Sequence, residues 1–176
     1  MKKTVLYIAL SIDGYIADIE GGVEWLQGHD ISEDMPDTYS EFVKTVDTVV
    51  MGWNTYHQIV TELSPTQWVY EDLETYVITH RKMADMPNVH FLFENPCELV
   101  KRLKLSGGKN VWICGGADIA QQLLQEDLID TFHLAIIPII LGDGIRLFEK
   151  NGCKIPLRLV NSLCYNGITE LIYDHR

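Results

Sequence analysis

Thr48-Val49-Val50-Met51-Gly52-Trp53-Asn54-Thr55 decides the fold: an apolar, β-branched run ends at a glycine and passes at once into Tyr56, Ile59 and Val60 at helical spacing. A short apolar run closed by glycine reads as a buried strand, and the period that follows reads as one face of a helix. The same order recurs at Val111-Trp112-Ile113-Cys114-Gly115-Gly116-Ala117-Asp118, after which Ile119, Leu123, Leu124 and Leu128 carry the helical stripe. Strand, tight turn and helix, twice over, is the unit of a mainly parallel sheet covered by helices.

Working outward, residues 5–10 read as a buried strand, and a loop rich in Asp and Gly runs from 13 to about 36. Tyr39, Phe42, Val43 and Val46 then fall on one helical face. Residues 75–78 and 89–93 are strand-like, and Asn95-Pro96 supplies a cap and a proline for a helix that buries Leu99, Val100 and Leu103 until Gly107-Gly108. Residues 132–141 read as a further strand. Residues 157–163 and 169–173 flank Asn166-Gly167, a strong hairpin signal. The expectation is one α/β domain over residues 1–176, a central mostly parallel sheet with helices on both faces and an antiparallel C-terminal hairpin.

A chain of 176 residues with 47% hydrophobic residues can bury one substantial core. The formal charge of -11 argues against nucleic acid or an anionic membrane as partner, because both require clustered Lys and Arg. Any phosphate must be bound locally. The basic start at Met1-Lys2-Lys3 leads into an apolar run broken by Ser11 and Asp13, too early for a secretory core, and no stretch is long enough for a membrane span. Cys97, Cys114, Cys153 and Cys164 have no C-x-x-C spacing, so a reduced, cytoplasmic protein is expected.

Three segments could carry chemistry. The turns at Gly52-Trp53-Asn54-Thr55 and Gly115-Gly116-Ala117-Asp118-Ile119 put the free amides of a helix start behind glycine, an arrangement that accepts phosphate. Glycines at strand ends also simply make tight turns, and neither segment is a Walker loop or a G-x-G-x-x-G fingerprint. Thr79-His80-Arg81 closes another strand and sets a guanidinium where open α/β sheets meet ligands. Arg81 suits the phosphate that distinguishes NADPH from NADH; the competing reading is a solvated basic turn with Lys82.

The order of Ser11-Ile12-Asp13-Gly14, Met51-Gly52-Trp53-Asn54-Thr55, Thr79-His80-Arg81 and Gly115-Gly116 resembles the dihydrofolate reductase superfamily. Within it, the chain is similar to the branch holding the C-terminal reductase domain of bacterial riboflavin biosynthesis proteins. Residues 138–144, Pro138 to Gly144, look like the loop after the sixth strand of that branch. The resemblance implies a three-layer dihydrofolate reductase-like fold and NADPH as cofactor. It sets the phosphates at Gly52 to Thr55 and Gly115 to Ile119, the 2'-phosphate at Thr79 and Arg81, and the nicotinamide beside Ala9 and Ile16. The hydride acceptor, a pterin-like or aminopyrimidine-like heterocycle, would lie between the first strand, Trp25, and the helix bearing Thr38, Tyr39 and Phe42.

Two departures matter. Trp53 stands where the family usually has arginine on the phosphates. Folate-reducing members carry an acid four residues before the pocket phenylalanine, but counting back from Phe42 gives Thr38, and Asp37 is rotated by about 100°. Efficient dihydrofolate reduction is therefore not expected. Asp13 remains as a carboxylate near the nicotinamide end, either relaying a proton or organising its turn through backbone amides. The six histidines lack ligand spacing, so no metal site is expected, and Cys114 reads as a core residue. Glu20, Glu24, Asp30, Glu33, Asp34 and Asp37 read as a solvated loop and helix start. The expected function is NADPH-dependent reduction of a planar heterocycle, with a non-catalytic NADP(H)-binding or sensor protein as the alternative. The apolar stretch 136–141 suggests self-association, as a homodimer.

Overall fold

The computed structural model describes residues 1–30, 36–149 and 154–176, so Glu33, Asp34 and Cys153 lie outside the described residues. In chain order the elements are β1 (Thr4–Ser11), β2 (Tyr15–Ala17), α1 (Thr38–Val43), β3 (Val46–Gly52), α2 (Trp53–Gln58), β4 (Glu74–Ile78) and β5 (Val89–Leu92). There follow α3 (Pro96–Leu105), β6 (Asn110–Gly115), α4 (Ala117–Gln125), β7 (Thr131–Ile137), β8 (Ile145–Arg146), β9 (Leu157–Tyr165) and β10 (Ile168–His175). A π-helical turn, Ile59–Leu63, extends α2. Among the described residues, eight strands form one sheet in the order β5-β4-β3-β6-β1-β7-β10-β9. The pairs from β5 through β7 are parallel, and β10 runs antiparallel to both of its neighbours.

Alternation along the strands splits the core into two sides. Leu6, Val50, Ile113, Phe132 and Leu134 pack on one face with Leu99, Val100 and Leu103 of α3 and Ile119, Leu123 and Leu124 of α4. Val5, Val49, Met51, Val77 and Trp112 point to the other, against Phe42 of α1 and Tyr56 and Ile59 of α2 or its extension. The three-layer α/β arrangement with its antiparallel C-terminal hairpin is as expected. Leu6, Ile113 and Leu123 are fully buried, each contributing about 2 kcal/mol by leaving water.

Local chemistry explains the boundaries. Asn95 accepts from the amides of Cys97 at 2.8 Å and Glu98 at 3.4 Å, and Pro96 opens α3. Asn166 and Gly167, with φ of 45° and 74°, make the hairpin turn between β9 and β10. Three expectations are corrected. Val46 opens β3 rather than completing the helical stripe of α1, which stops at Val43. The strand expected over 132–141 ends at Ile137, and β2 and β8 pair within segments read as loop. β7 is an interior strand between β1 and β10; of the apolar stretch 136–141 only Ile136 and Ile137 belong to it, and Ile140 is exposed in the loop beyond, while β5 and β9 are the edges of the sheet.

Connections leave β3 and β6 in opposite directions. After β3 the chain moves toward β4 across the face that carries α2, and after β6 it crosses β1 to β7 on the face that carries α4. A crevice opens at the carboxyl ends of two adjacent parallel strands where the winding reverses. Gly52 and Gly115 end those two strands.

Candidate functional site: a cleft between two glycine turns

Parallel pairing sets Met51 opposite Gly115, which brings the two turns side by side. A β-carbon built on Gly52 would lie 3.4 Å from Ile119 Cδ1 and 3.8 Å from the Gly116 amide nitrogen. One built on Gly115 or Gly116 would meet Thr55 Oγ1 at 3.6 or 3.7 Å. The turns therefore face each other across a cleft of about 1540 Å³. Its walls include Ala9, Ile16, Gly52, Trp53, Asn54, Thr55, Thr79, His80, Arg81, Gly115, Gly116, Ala117, Asp118 and Ile119, every residue expected around a cofactor.

Helices α2 and α4 both start here, capped at Gly52 and Gly116 without any side-chain cap bond, so their first-turn amides are open to a ligand. Asp118 opposes an anion: it sits in the first turn of α4, where its charge favours the helix, and accepts from Gln122 Nε2 at 3.0 Å. Glu20, Glu62 and Glu94 also line the cleft, with Glu94 forked onto Arg102 at 2.8 and 3.1 Å. Arg81 makes no ion pair among the described residues; its guanidinium lies over the Trp53 ring at 4.7 Å. Buried Thr79 accepts the Arg81 amide on its hydroxyl at 3.1 Å, so it fixes the turn that aims Arg81. His80 packs edge-on to exposed Phe93, also on the wall.

At the opposite end Ile16 and Ala17 of β2 and Ile145 of β8 join Ile8 and Ala9. Asp13 is not on this wall. Its carboxylate accepts from Ser11 Oγ at 2.7 Å and from the amides of Leu141 and Gly142 at 3.1 and 2.8 Å. Partial desolvation works upward, and these bonds outweigh it, lowering the carboxyl to about 2. An acid held ionised in this way cannot donate a proton near neutral pH; its backbone partners lie not in its own turn but at Leu141 and Gly142, so it ties that loop to the end of β1. Cys114 edges the cleft beside Tyr70, and burial pushes its thiol up to about 11, so it stays protonated and is no nucleophile.

The four residues expected around the acceptor, Trp25, Thr38, Tyr39 and Phe42, do not line the cleft. Phe42 is core, against Tyr7 and Trp112. Tyr39 faces a small outer pocket with Val43, Val69 and Tyr70. Trp25 packs against the buried cluster of Ala135, Ile137 and Ile168. Thr38 instead donates to Glu170 Oε1 at 2.7 Å. That buried carboxylate of β10 also accepts the Tyr165 hydroxyl and pairs with His133 Nε2 at 2.7 Å. Burial alone raises the Glu170 pKa, but bonds from His133, Tyr165 and Thr38 overcome it and hold the carboxyl at about 2.

Glu170 and His133 were missed from sequence. The available signal was an acid at an inward position of a strand: Glu170 shares its face of β10 with buried Ile168, and His133 shares its face of β7 with Ala135 and Ile137. Asp37, by contrast, caps α1 by accepting the Ser40 amide at 3.1 Å.

The chain matches the RibD C-terminal domain family over residues 2–168. YwjB of Bacillus subtilis (strain 168), an uncharacterized protein, is 38% identical over 98% of this chain and 97% of its own. YyaP of the same organism, also uncharacterized, is 27% identical over 98% and 94%. Among solved structures, a provisionally assigned riboflavin biosynthesis protein from Shewanella sp. PV-4 superposes with a TM-score of 0.83 at 26% identity, covering 99% of both chains. A diaminohydroxyphosphoribosylaminopyrimidine deaminase/5-amino-6-(5-phosphoribosylamino)uracil reductase from Thermotoga maritima gives 0.71 at 16% identity, over 99% of this chain and 57% of that one, a likeness of fold alone. With the paired glycine turns in place and a family match over nearly the whole chain, this protein belongs to the RibD C-terminal domain family.

Proposed function

We propose that the protein is an NADPH-dependent reductase acting on a small planar heterocycle of the aminopyrimidine or pterin type, in the manner of a 5-amino-6-(5-phosphoribosylamino)uracil reductase. The observation that carries this reading is Arg81, unpaired with any carboxylate among the described residues, at a cleft built from two facing glycine turns. The donor set fits a dinucleotide: open amides at the starts of α2 and α4 suit a diphosphate, and Arg81 suits a further phosphate on a ribose. Bound there, NADPH would supply the hydride. The chain's own part is to hold and orient. Gly52 to Thr55 and Gly115 to Ile119 grip the diphosphate, Thr79 fixes the Arg81 turn, and Ala9 and Ile16 leave an apolar seat for the nicotinamide.

The second reading, a non-catalytic NADP(H)-binding or sensor protein of this fold, is favoured by one observation: Asp13, the acid expected at the nicotinamide end, is engaged by the Ser11 hydroxyl and by the amides of Leu141 and Gly142. Steady oxidation of NADPH in the presence of aminopyrimidines or pterins supports the reductase. Tight NADPH binding with no oxidation across that panel supports the sensor. The proposal includes pairing of two copies, through the bare edge of β9 with its exposed Leu159, Val160 and Leu163.

A further inference from the structure

A buried polar cluster stands apart from the cofactor walls. Glu170 is 3% exposed and His133 7%, on strands whose other inward residues are apolar. Burying a carboxylate is costly unless its oxygens are fully bonded, and apolar residues of similar size would serve the core at least as well. A charged group kept in such a place is a candidate for function. Its position is suggestive. Ala9, Ala135 and Glu170 lie in one row across β1, β7 and β10, so Glu170 is two strand spacings, about 10 Å, from the residue that forms the nicotinamide seat.

Trp25 and Ile139 pack against the cluster of Ala135, Ile137 and Ile168 beside this row, and the cover they give is partial. Tyr7 and Ala9 are only partly buried although β1 has strands on both sides, and Thr38 and Tyr165 are partly buried as well. Tyr7 stacks on His133 at 4.2 Å, with the Phe42 ring tilted against it at 4.4 Å. The proton inventory decides what the cluster can bind. Each hydroxyl has one proton and two lone pairs. Thr38 and Tyr165 both give their proton to Glu170 Oε1, and the imidazole occupies Oε2. Both hydroxyl oxygens are then left as acceptors, 3.4 Å apart. Tyr7 keeps its proton because burial, and then the Glu170 charge, raises its pKa; its hydroxyl hydrogen-bonds Thr38, taking one of the two Thr38 lone pairs and leaving the other.

We infer that Glu170 is a positioning residue for the hydride acceptor: by taking the protons of Thr38 and Tyr165 it turns both hydroxyls into acceptors for the ring N–H groups of a cyclic amide or amidine. This rests on the reductase reading, which it deepens by naming the edge of the heterocycle that is recognised. Two adjacent acceptors select ring N–H donors and reject the same ring once those nitrogens are alkylated. Losing a hydrogen bond to a buried polar group typically weakens binding about tenfold or more.

The test is calorimetric titration of the full chain with 5,6-diaminouracil and with 5,6-diamino-1,3-dimethyluracil, which keeps the carbonyls and loses the ring N–H groups. The wild type is expected to prefer the unmethylated ring by about tenfold or more. Glu170→Leu, which removes the acceptor that takes both protons, should bring that ratio close to one, and Thr38→Val and Tyr165→Phe, which each remove one hydroxyl and leave Glu170 its other partners, should each lower it about threefold or more. NADPH affinity should stay unchanged in all three. Equal affinity of the wild type for the two rings overturns the inference, as does a ratio unaltered by the folded Thr38→Val and Tyr165→Phe variants. Because the rings are titrated without cofactor, failure to bind NADPH would remove the reductase and leave the selectivity ratio readable.

Discussion

Trp53 takes the place of the arginine that the family usually aims at the phosphates, and its ring instead carries the guanidinium of Arg81. A cation on an exposed aromatic face gains about 0.5–1 kcal/mol, so Trp53→Ala should weaken NADPH binding about two- to fivefold by freeing Arg81 to wander, with a smaller effect on NADH. The Kd values for both nucleotides check this. Glu170 gives a pH signature. Its folded pKa, about 2, lies below the ordinary 4.5, so its contribution is present above about 4.5 and is lost as pH falls toward 2. The size is on the order of 3 kcal/mol. Acid unfolding between pH 4.5 and 2 should therefore be steeper in the wild type than in Glu170→Gln; identical curves would contradict the assignment. The cofactor-side residues were legible in the sequence because glycine turns and Thr79-His80-Arg81 act within a few neighbours. Glu170 was not, because its contact with Thr38 spans 132 positions and depends on sheet register.

Elements that end on local signals were legible, and those ended by tertiary pairing were not. Asn95-Pro96 and Asn166-Gly167 fixed α3 and the hairpin. α1 is short because Val46 is needed in β3, against Val49 and Met51 of the same strand in the core. β2 and β8 were invisible because each is stabilised by the other rather than by its own pattern. Their meeting depends on Gly144, whose φ is 146° and whose β-carbon would sit 2.2 Å from the Ala17 carbonyl oxygen. Gly144→Ala should cost more than about 1 kcal/mol and lower the melting temperature by several degrees, since both backbone strain and a clash with backbone oppose it. A variant as stable as the wild type would mean that β2 and β8 do not meet in this way.

Over the whole molecule, the winding reverses between β3 and β6, and the cleft follows from that reversal together with helices on opposite faces. The alternation of strand and helix was enough to anticipate the layers and the pairing of the two turns, but strand order was beyond the sequence, because it is set by pairing between distant segments. Of the two edge strands, β5 and β9, β9 exposes Leu159 at 53% and Val160 at 54%. Sedimentation should show a dimer that Val160→Lys splits into monomers, and a monomeric wild type would remove that proposal. The central claim is that the two glycine turns and Arg81 together form a site for a nucleotide carrying an extra phosphate. Titration of NADPH and NADH by intrinsic tryptophan fluorescence, in the wild type and in Arg81→Ala, tests it most directly. The account predicts tighter binding of NADPH and a loss of about tenfold or more in Arg81→Ala that NADH does not share; equal affinities for both nucleotides, untouched by the substitution, would contradict it.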